Sequence, residues 1–231
     1  MLTLVRDGVY PWLRNLGGEG STYSHHMKDA RFTIATPNLL AKVVAMLDDI
    51  PLGKADVKGD LYEYMLGKIA TAGQNGQFRT PRHIIQLIVE MMAPGPKDEI
   101  CDPACGTAGF LVASAEYINR THREALQNPA QREHFDENMF HDFDFDNTML
   151  RIGSMNMLLD NVANPDIHYR DSLAQGTTGD AEKYTMILAN PPFASSLDYE
   201  TTAKDLQAVR QQRRSTPAMV VGLIPNRPAA S

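Results

Sequence analysis

Apolar residues recur at helical spacing through the first part of the chain. After Thr36-Pro37, apolar side chains return every three or four positions, which predicts a helix capped by Thr36 with Pro37 in its first turn. A second helix is predicted to begin near Asp60. A third starts with the same device, Thr80 as the N-cap and Pro81 at the first helical position. The N-terminal region is therefore predicted to be helical.

Past residue 96 the pattern changes to short apolar runs that alternate with helical periods. Strands are predicted over residues 99–102, 139–145, 166–170 and 183–189, with helices over residues 108–120 and from Asp146 to Leu159. This alternation predicts an α/β fold with a parallel sheet. Residues 122–136 are polar and are predicted to be an exposed insertion.

The composition is typical of a soluble globular protein. Of the 231 residues, 43% are hydrophobic and 22% are charged, which excludes collagen-like and wholly disordered chains. The sequence has no apolar run of bilayer length and no secretory signal, so we expect a cytoplasmic protein with no membrane partner. Its two cysteines, Cys101 and Cys105, are too few for a disulfide framework or a zinc site, so no metal is expected.

A glycine-containing turn follows the first predicted strand and opens the next helix. It reads Asp102-Pro-Ala-Cys-Gly-Thr-Ala-Gly-Phe110. Parallel α/β sheets bind nucleotide-like ligands at this position, and glycines let such a ligand approach the backbone. Gly106 and Gly109 do not complete the G-x-G-x-x-G fingerprint, so an ordinary strand-to-helix turn is the competing interpretation.

A pair of aspartates ends the second predicted strand. Asp146 suits the N-cap of the following helix. That leaves Asp144 free to accept hydrogen bonds from a ribose diol, the usual role of a carboxylate at this strand end.

A proline-containing segment, Ala189-Asn-Pro-Pro-Phe193, follows the last apolar strand. The Asn190 side-chain oxygen and the Pro191 carbonyl offer two acceptors, and Phe193 offers a flat ring. Together they suit a planar ring that carries an exocyclic NH₂ group. The alternative is a proline-rich turn with a core phenylalanine.

These motifs, in this order, resemble the amino-group (adenine N6) DNA methyltransferases. Gly76-Gln-Phe-Arg-Thr-Pro-Arg-His83 is similar to the start of their cofactor-binding helix, and the helical leader with Asp56–Tyr64 looks like the methylation (M) subunit of type I restriction-modification systems. The resemblance implies a Rossmann-like S-adenosylmethionine-dependent methyltransferase sheet, incomplete with four parallel strands. It further implies a helical N-terminal region over residues 1–75, a catalytic domain over 76–208 and an aberrant or disordered tail over 209–231.

The resemblance also implies S-adenosylmethionine as the cofactor and assigns residues to its parts. Near the methionine portion, where the free N–H groups of a helix start favour a carboxylate, it places Gln77, Phe78, Arg79, Thr80, Pro81 and Arg82. Around the central part it places Asp102, Gly106, Thr107, Ala108 and Gly109. Asp144 would bind the ribose hydroxyls. Asp171 would lie near the adenine, with a plain turn aspartate as an equal alternative. The family often has glycine where Ala108 stands.

The implied reaction is in-line transfer of a methyl group to adenine N6. The catalytic segment would be Asn190, Pro191, Pro192 and Phe193, with Asn190 and Pro191 accepting the N6 hydrogens and Phe193 stacking on a base flipped out of duplex DNA. Implied partners are double-stranded DNA, a separate sequence-recognition subunit and, where the system has one, a restriction subunit. The net charge of −6 also favours a second chain that supplies the DNA contacts.

Three other functions remain to be weighed. A degenerate fragment could keep cofactor affinity without turnover. A protein-glutamine methyltransferase also acts on a planar NH₂ group. A nicotinamide-linked reductase is disfavoured by the incomplete glycine fingerprint and by Asn-Pro-Pro-Phe.

The resemblance, the periodicity and the charge all change after residue 208. The last 31 residues carry five basic side chains and one acidic side chain. We expect a truncated or frameshifted gene, and weak or absent activity of the isolated chain. A natural disordered tail is the alternative.

Overall fold

The computed structural model describes residues 1–48, 80–172 and 183–190. Several predictions concern residues outside these ranges. They are the helix near Asp60, residues Gln77, Phe78 and Arg79, residues Pro191, Pro192 and Phe193, and the tail over 209–231. No helix within the described ranges is long and apolar enough to cross a bilayer.

The described helices and strands follow the predicted order along the chain. The α-helices are α1 (Leu2–Leu4), α2 (Tyr10–Arg14), α3 (Thr22–Met27), α4 (Pro37–Asp48), α5 (Arg82–Met92), α6 (Gly109–Thr121), α7 (Pro129–Glu133) and α8 (Asn147–Leu159). Short π or 3₁₀ segments are Val5–Val9, Ala125–Gln127 and His134–Asn138. The strands are β1 (Ile100–Asp102), β2 (Phe140–Asp144), β3 (Asp166–Tyr169) and β4 (Met186–Ile187).

The described residues divide into two compact units. One comprises residues 1–16 and 29–48, and the other comprises residues 17–28, 80–172 and 183–190. In the first unit, the rings of Tyr10 and Phe32 meet edge to face with centroids 5.7 Å apart. Thr36 caps α4 as predicted, because its hydroxyl oxygen accepts a hydrogen bond of 3.3 Å from the Leu39 backbone N–H.

The second unit is built on a parallel sheet with the strand order β3-β2-β1-β4. Ile100 pairs with Phe140 on one side and with Met186 on the other. Every residue of β1 and β2 is buried, as expected for strands covered on both faces by helices. The predicted four-stranded parallel α/β sheet is confirmed.

Strand β4 is shorter than the sequence predicts. The apolar run over residues 183–189 yields only the two-residue strand Met186–Ile187. The reason is that its partner β1 has only three residues, so the ladder ends early. The Leu188 backbone N–H still donates to the Cys101 carbonyl at 2.9 Å, which carries the chain to the carboxyl edge of the sheet.

Helices α5, α6 and α8 supply most of the core around the sheet. Fully buried side chains from these helices and strands include Val89, Ile100, Leu111, Ile118, Phe140, Leu150 and Met157. The segment predicted to be an exposed insertion also contributes, because Phe135 is fully buried and stacks edge to face on Phe140. That prediction is wrong at Phe135, since the polar residues around it conceal one core position.

Helix α3 belongs with the sheet although it lies in the predicted N-terminal region. The Thr22 backbone N–H donates to Asn164 Oδ1 at 2.9 Å, and the Thr22 hydroxyl donates to the Pro165 carbonyl at 2.7 Å. On the other side, Arg151 Nε of α8 donates to the His26 carbonyl at 3.2 Å. Residues 17–28 are therefore fixed to α8 and to the loop before β3.

Candidate active site

The loop from Pro103 to Ala108 joins β1 to α6 at the carboxyl edge of the sheet. Three polar side chains from elsewhere in the chain hold its backbone. Asp144 Oδ2 accepts from the Gly106 N–H at 2.9 Å, Asn156 Nδ2 donates to the Thr107 carbonyl at 2.7 Å, and Ser172 Oγ donates to the Pro103 carbonyl at 2.7 Å. These three hydrogen bonds fix the loop from within the protein, which is the condition for preorganised binding.

Gly106 leaves the outer side of this loop open. Its φ is +54°, in the left-handed region that favours glycine, and a Cβ atom built on it would meet no other atom within 4 Å. A ligand can therefore approach the backbone here without displacing a side chain.

Ala108 occupies a position where glycine would be favoured. Its φ is 60°, it precedes α6, and it is completely buried. Space for its methyl group comes from Gly153 of α8, where an added Cβ would lie 3.4 Å from the Ala108 Cβ. The alanine is accommodated because the residue that faces it on α8 is a glycine, which has no side chain.

Gly109 serves the packing of helices. A Cβ on Gly109 would lie 3.0 Å from Cδ1 of Ile85, so its absence lets α6 approach α5 closely. This contact brings the glycine loop beside the start of α5.

Asp144 is not free, in contrast to the prediction. Its Oδ2 atom accepts the Gly106 N–H, and its Oδ1 atom accepts the Asp146 N–H at 2.8 Å. Burial raises the pKa of Asp144, and the backbone hydrogen bonds oppose that rise. Each carboxylate oxygen has a second lone pair, so the group can hold the loop and still accept a hydroxyl. Asp146 caps α8 as predicted, with Oδ1 accepting from the Thr148 N–H at 2.7 Å.

Two more aspartates lie beneath the loop on adjacent strands. Asp102 and Asp142 are paired across β1 and β2, and both are buried. Burial raises the pKa of Asp102 to about 7, and the nearby Asp144 charge adds to this effect. Burial and the Asp102 charge raise the pKa of Asp142 well above its usual range. The fold therefore favours the protonated form of Asp142.

Asn190 lies at the same edge of the sheet as the glycine loop. It follows β4, which pairs in parallel with β1, so the chain leaves both strands at the carboxyl edge. Its Nδ2 atom donates to the Thr80 Oγ1 atom at 2.8 Å. The described residues give Oδ1 of Asn190 no hydrogen-bond donor.

Thr80 is not the N-cap of its helix, and that prediction is wrong. The cap position belongs to Pro81, whose extended backbone (ψ 140°) starts α5 at Arg82. The Pro81 carbonyl accepts the first helical hydrogen bonds, from Ile84 at 2.9 Å and from Ile85 at 3.1 Å. The Thr80 hydroxyl is instead engaged with Asn190, a residue far along the chain.

The remaining predicted residues lie around the same edge. Arg82 reaches Glu116 of α6, with Nη2 and Oε1 3.2 Å apart, in a half-exposed pair. Asp171 is exposed and follows β3, next to the Ser172 that holds the loop. The structure therefore brings to one edge Thr80, Asp102, Gly106, Thr107, Asp144, Asp171 and Asn190.

The sequence pattern did not single out Asn156, Ser172, Asp142 or Gly153. Asn156 interrupts the apolar face of α8, and a polar residue at such a position signals a specific partner. Gly153 lies three residues earlier on the same helix, and a glycine within a helix signals close packing.

Known proteins with similar sequences come from restriction-modification systems. The chain is 25% identical over 225 residues to the type I restriction enzyme EcoEI methylase subunit of Escherichia coli, covering 93% of this chain and 45% of that protein. It is 32% identical over 149 residues to the HindI methylase subunit of Haemophilus influenzae, covering 63% of this chain and 31% of that one. The chain thus spans less than half the length of these relatives.

A solved structure shares the fold. The crystal structure of a modification subunit assigned to a type I restriction enzyme from Vibrio vulnificus YJ016 superposes with a TM-score of 0.67 at 27% identity. The match covers 87% of this chain and 43% of that chain.

The family model for N-6 DNA Methylase matches residues 53–220, which is most of the chain and includes every predicted site residue. The match extends to residue 220, which is 12 residues past the point at which the sequence predicts the resemblance to stop, residue 208. With the parallel sheet, the fixed loop after β1 and Asn190 after β4, this match shows that the chain belongs to the N-6 DNA methylase family.

Proposed function

We propose that this protein transfers a methyl group from S-adenosylmethionine to the N6 atom of adenine in DNA, as the methylation subunit of a type I restriction-modification system. The observation that carries the proposal is the placement of Asn190, held by Thr80, at the sheet edge that also carries the glycine loop. The relatives named as type I methylase subunits support it.

The residues at this edge fit the cofactor. Gly106 forms a cradle that a side chain would fill, so the backbone can contact a ligand. Asp144 at the strand end suits a ribose diol, and Asp102 supports from beneath the loop that would line the central part of the cofactor. We assign the binding of the methionine portion to Gln77, Phe78, Arg79, Thr80, Pro81 and Arg82. The central part of the cofactor is assigned to Thr107, Ala108 and Gly109, in addition to Asp102 and Gly106. The adenine end is assigned to Asp171.

The chemistry on the protein side is positioning. The cofactor supplies an electrophilic methyl group, while adenine N6 is a weak nucleophile because its lone pair is delocalised into the ring. Oδ1 of Asn190 and the Pro191 carbonyl accept the two N6 hydrogens, which favours a tetrahedral nitrogen with its lone pair directed outward. By the resemblance of the motif, we assign Pro192 and Phe193 to the same step, with Phe193 stacking on the flipped base.

Substrate and partners follow from the same chemistry. A target adenine cannot be reached inside the duplex, so the base is flipped out. Phosphate contacts from Lys and Arg dominate DNA affinity, and this chain carries a net charge of −6, so a sequence-recognition subunit supplies them. A restriction subunit is a further partner in systems that cleave DNA. Genomic DNA as the substrate places the protein in the cytoplasm.

The test separates binding from methyl transfer in Asn190→Ala. We expect the whole protein, assembled with its recognition subunit, to incorporate methyl groups into adenine, and Asn190→Ala to lose at least a hundredfold of that rate. Calorimetry with S-adenosylmethionine should give the variant a Kd within a few fold of the wild type. Asn119→Ala, in the last turn of α6 and so at the opposite end of that helix from the glycine loop, is the matched control and should keep full activity.

Two results would contradict the proposal. Unchanged methylation in Asn190→Ala would remove the residue from the reaction. Cofactor binding without any methylation by the wild-type assembly would favour a binding fragment without turnover.

A further inference from the structure

We propose that the Thr80 hydroxyl orients the Asn190 side chain and couples that orientation to the cofactor, so that cofactor binding prepares the site for the flipped adenine. The inference rests on the proposed function and deepens it, since Thr80 becomes a positioning residue for the substrate base. The structural basis is the 2.8 Å hydrogen bond from Asn190 Nδ2 to Thr80 Oγ1.

The side-chain amide of an asparagine carries two groups with opposite hydrogen-bonding roles. Rotation of the side chain by half a turn exchanges its oxygen, an acceptor, with its NH₂ group, a donor. Adenine N6 presents hydrogens, so only the oxygen can face it, and a reversed amide would set donor against donor. Because Thr80 takes Nδ2 of Asn190, the Oδ1 atom is left for the substrate.

The hydroxyl of Thr80 cannot impose this orientation by itself. A hydroxyl has one proton to donate and two lone pairs, so it could equally donate to Oδ1 of a reversed Asn190. The reversed state is lost only when another acceptor takes the Thr80 proton. Toward Asn190, the hydroxyl can then act only as an acceptor.

The start of α5 is where such an acceptor would bind. The backbone N–H groups of Arg82 and His83 are in the first turn and have no acceptor within the helix, so they favour an anion beside Thr80. The Arg82 guanidinium is directed to Glu116 of α6. A carboxylate on the ligand, as on the methionine portion of the cofactor, would therefore meet backbone N–H groups and the Thr80 hydroxyl.

Both partners are held on stiff backbone. Thr80 and Asn190 each precede a proline, and a residue before proline is restricted to extended conformations. Both side chains are half-buried, which limits competition from water. The chain of donors thus runs from Asn190 to Thr80 and from Thr80 to the carboxylate.

The first experiment observes the Asn190 amide directly. In ¹⁵N-labelled protein, the side-chain NH₂ signal is assigned by its absence in Asn190→Asp, and its hydrogen exchange is measured with and without S-adenosylhomocysteine, which carries the same carboxylate. We expect this ligand to slow the exchange about tenfold in the wild type and in Thr80→Ser. In Thr80→Val, exchange should be fast and should not respond to bound ligand.

The second experiment measures capture of the base. The wild-type assembly with its recognition subunit is titrated with duplex DNA that keeps adenine at the target position and carries 2-aminopurine next to it, whose fluorescence rises when the neighbouring adenine is flipped out of the stack. S-adenosylhomocysteine should strengthen capture about five- to tenfold in the wild type and in Thr80→Ser, and not in Thr80→Val. At saturating cofactor, Thr80→Val should lower kcat/KM for DNA by a similar factor, and its KM for the cofactor should rise as well because the carboxylate loses the Thr80 hydrogen bond.

Controls and contrary outcomes are distinct. Thr121→Val removes an exposed hydroxyl that donates to the Tyr117 carbonyl within α6 and should behave as wild type. If the wild type responds to S-adenosylhomocysteine and Thr80→Val responds equally, the coupling is overturned while the proposed function stands. If the wild type neither binds this ligand nor captures the base, both are overturned.

Discussion

At the scale of single residues, the site combines positions that the sequence marks with partners that it does not. The strand-end rule correctly places Asp144 and Asn190 at the carboxyl edge of the sheet. Their hydrogen-bond partners, Gly106 and Thr80, lie 38 and 110 positions away along the chain. The local spacing of apolar and polar residues contains no information about such distant pairs. The hydrogen bond of Asp144 to Gly106, and that of Thr80 to Asn190 in place of a helix cap, could therefore not be predicted.

Gly106→Ala should weaken cofactor binding more than it weakens folding. The methyl group would enter the open side of the loop, and its left-handed backbone would cost about 1 kcal/mol of unfolding free energy. We expect a loss of cofactor affinity of at least tenfold by calorimetry, with the unfolding change measured by urea denaturation. Gly18→Ala, at another left-handed glycine (φ 87°) where an added Cβ would meet no atom within 4 Å, is the matched control and should lose stability but keep its cofactor affinity. Equal binding by Gly106→Ala would show that the ligand does not approach this turn.

At the scale of helices and strands, local signals succeed where the cap and the period are local. Thr36 and Asp146 cap α4 and α8 through contacts two or three residues away. The prediction of an exposed insertion over residues 122–136 is wrong at Phe135, because this one side chain is buried although the average polarity of the segment indicates exposure to solvent. Strand β4 fails in length because its partner β1 limits it.

Asn156→Ala tests the connection between α8 and the glycine loop. The substitution removes the donor to the Thr107 carbonyl and leaves that acceptor without its partner. We expect a loss of about 1–2 kcal/mol in unfolding free energy and a several-fold weaker cofactor Kd. Urea denaturation and calorimetry measure the two effects. Asn119→Ala on α6 is the matched control. An unchanged Kd would mean that the loop keeps its shape without α8.

At the scale of the whole molecule, the buried aspartates make stability depend on pH. The pKa of Asp102 is about 7 in the folded state, above its usual value near 4. Folding therefore takes up a proton on Asp102 between these values, and this group makes the free energy of unfolding fall as pH rises from 4 to 7. The raised pKa values of Asp142 and Asp144 act in the same direction.

Asp102→Asn should flatten this pH dependence. The asparagine keeps an oxygen for the Ala104 N–H but cannot ionise, so its stability relative to wild type should increase between pH 5 and pH 8. Urea denaturation at both pH values measures the change. Asp166→Asn is the control: a hydrogen bond from His141 lowers the pKa of Asp166 to about 2, so its stabilisation is lost only below pH 4. A constant difference between Asp102→Asn and wild type would contradict the prediction.

The attachment of α3 to the sheet bears on how this protein can be divided. Thr22 and His26 supply hydrogen bonds to the loop before β3, to β3 itself and to α8. A recombinant piece beginning at residue 76 would keep every predicted site residue and still lack these bonds. It would expose the α8 surface that Tyr23 and Met27 now help to bury. Low solubility of such a piece would then report a missing helix and say nothing about the proposed catalytic residues.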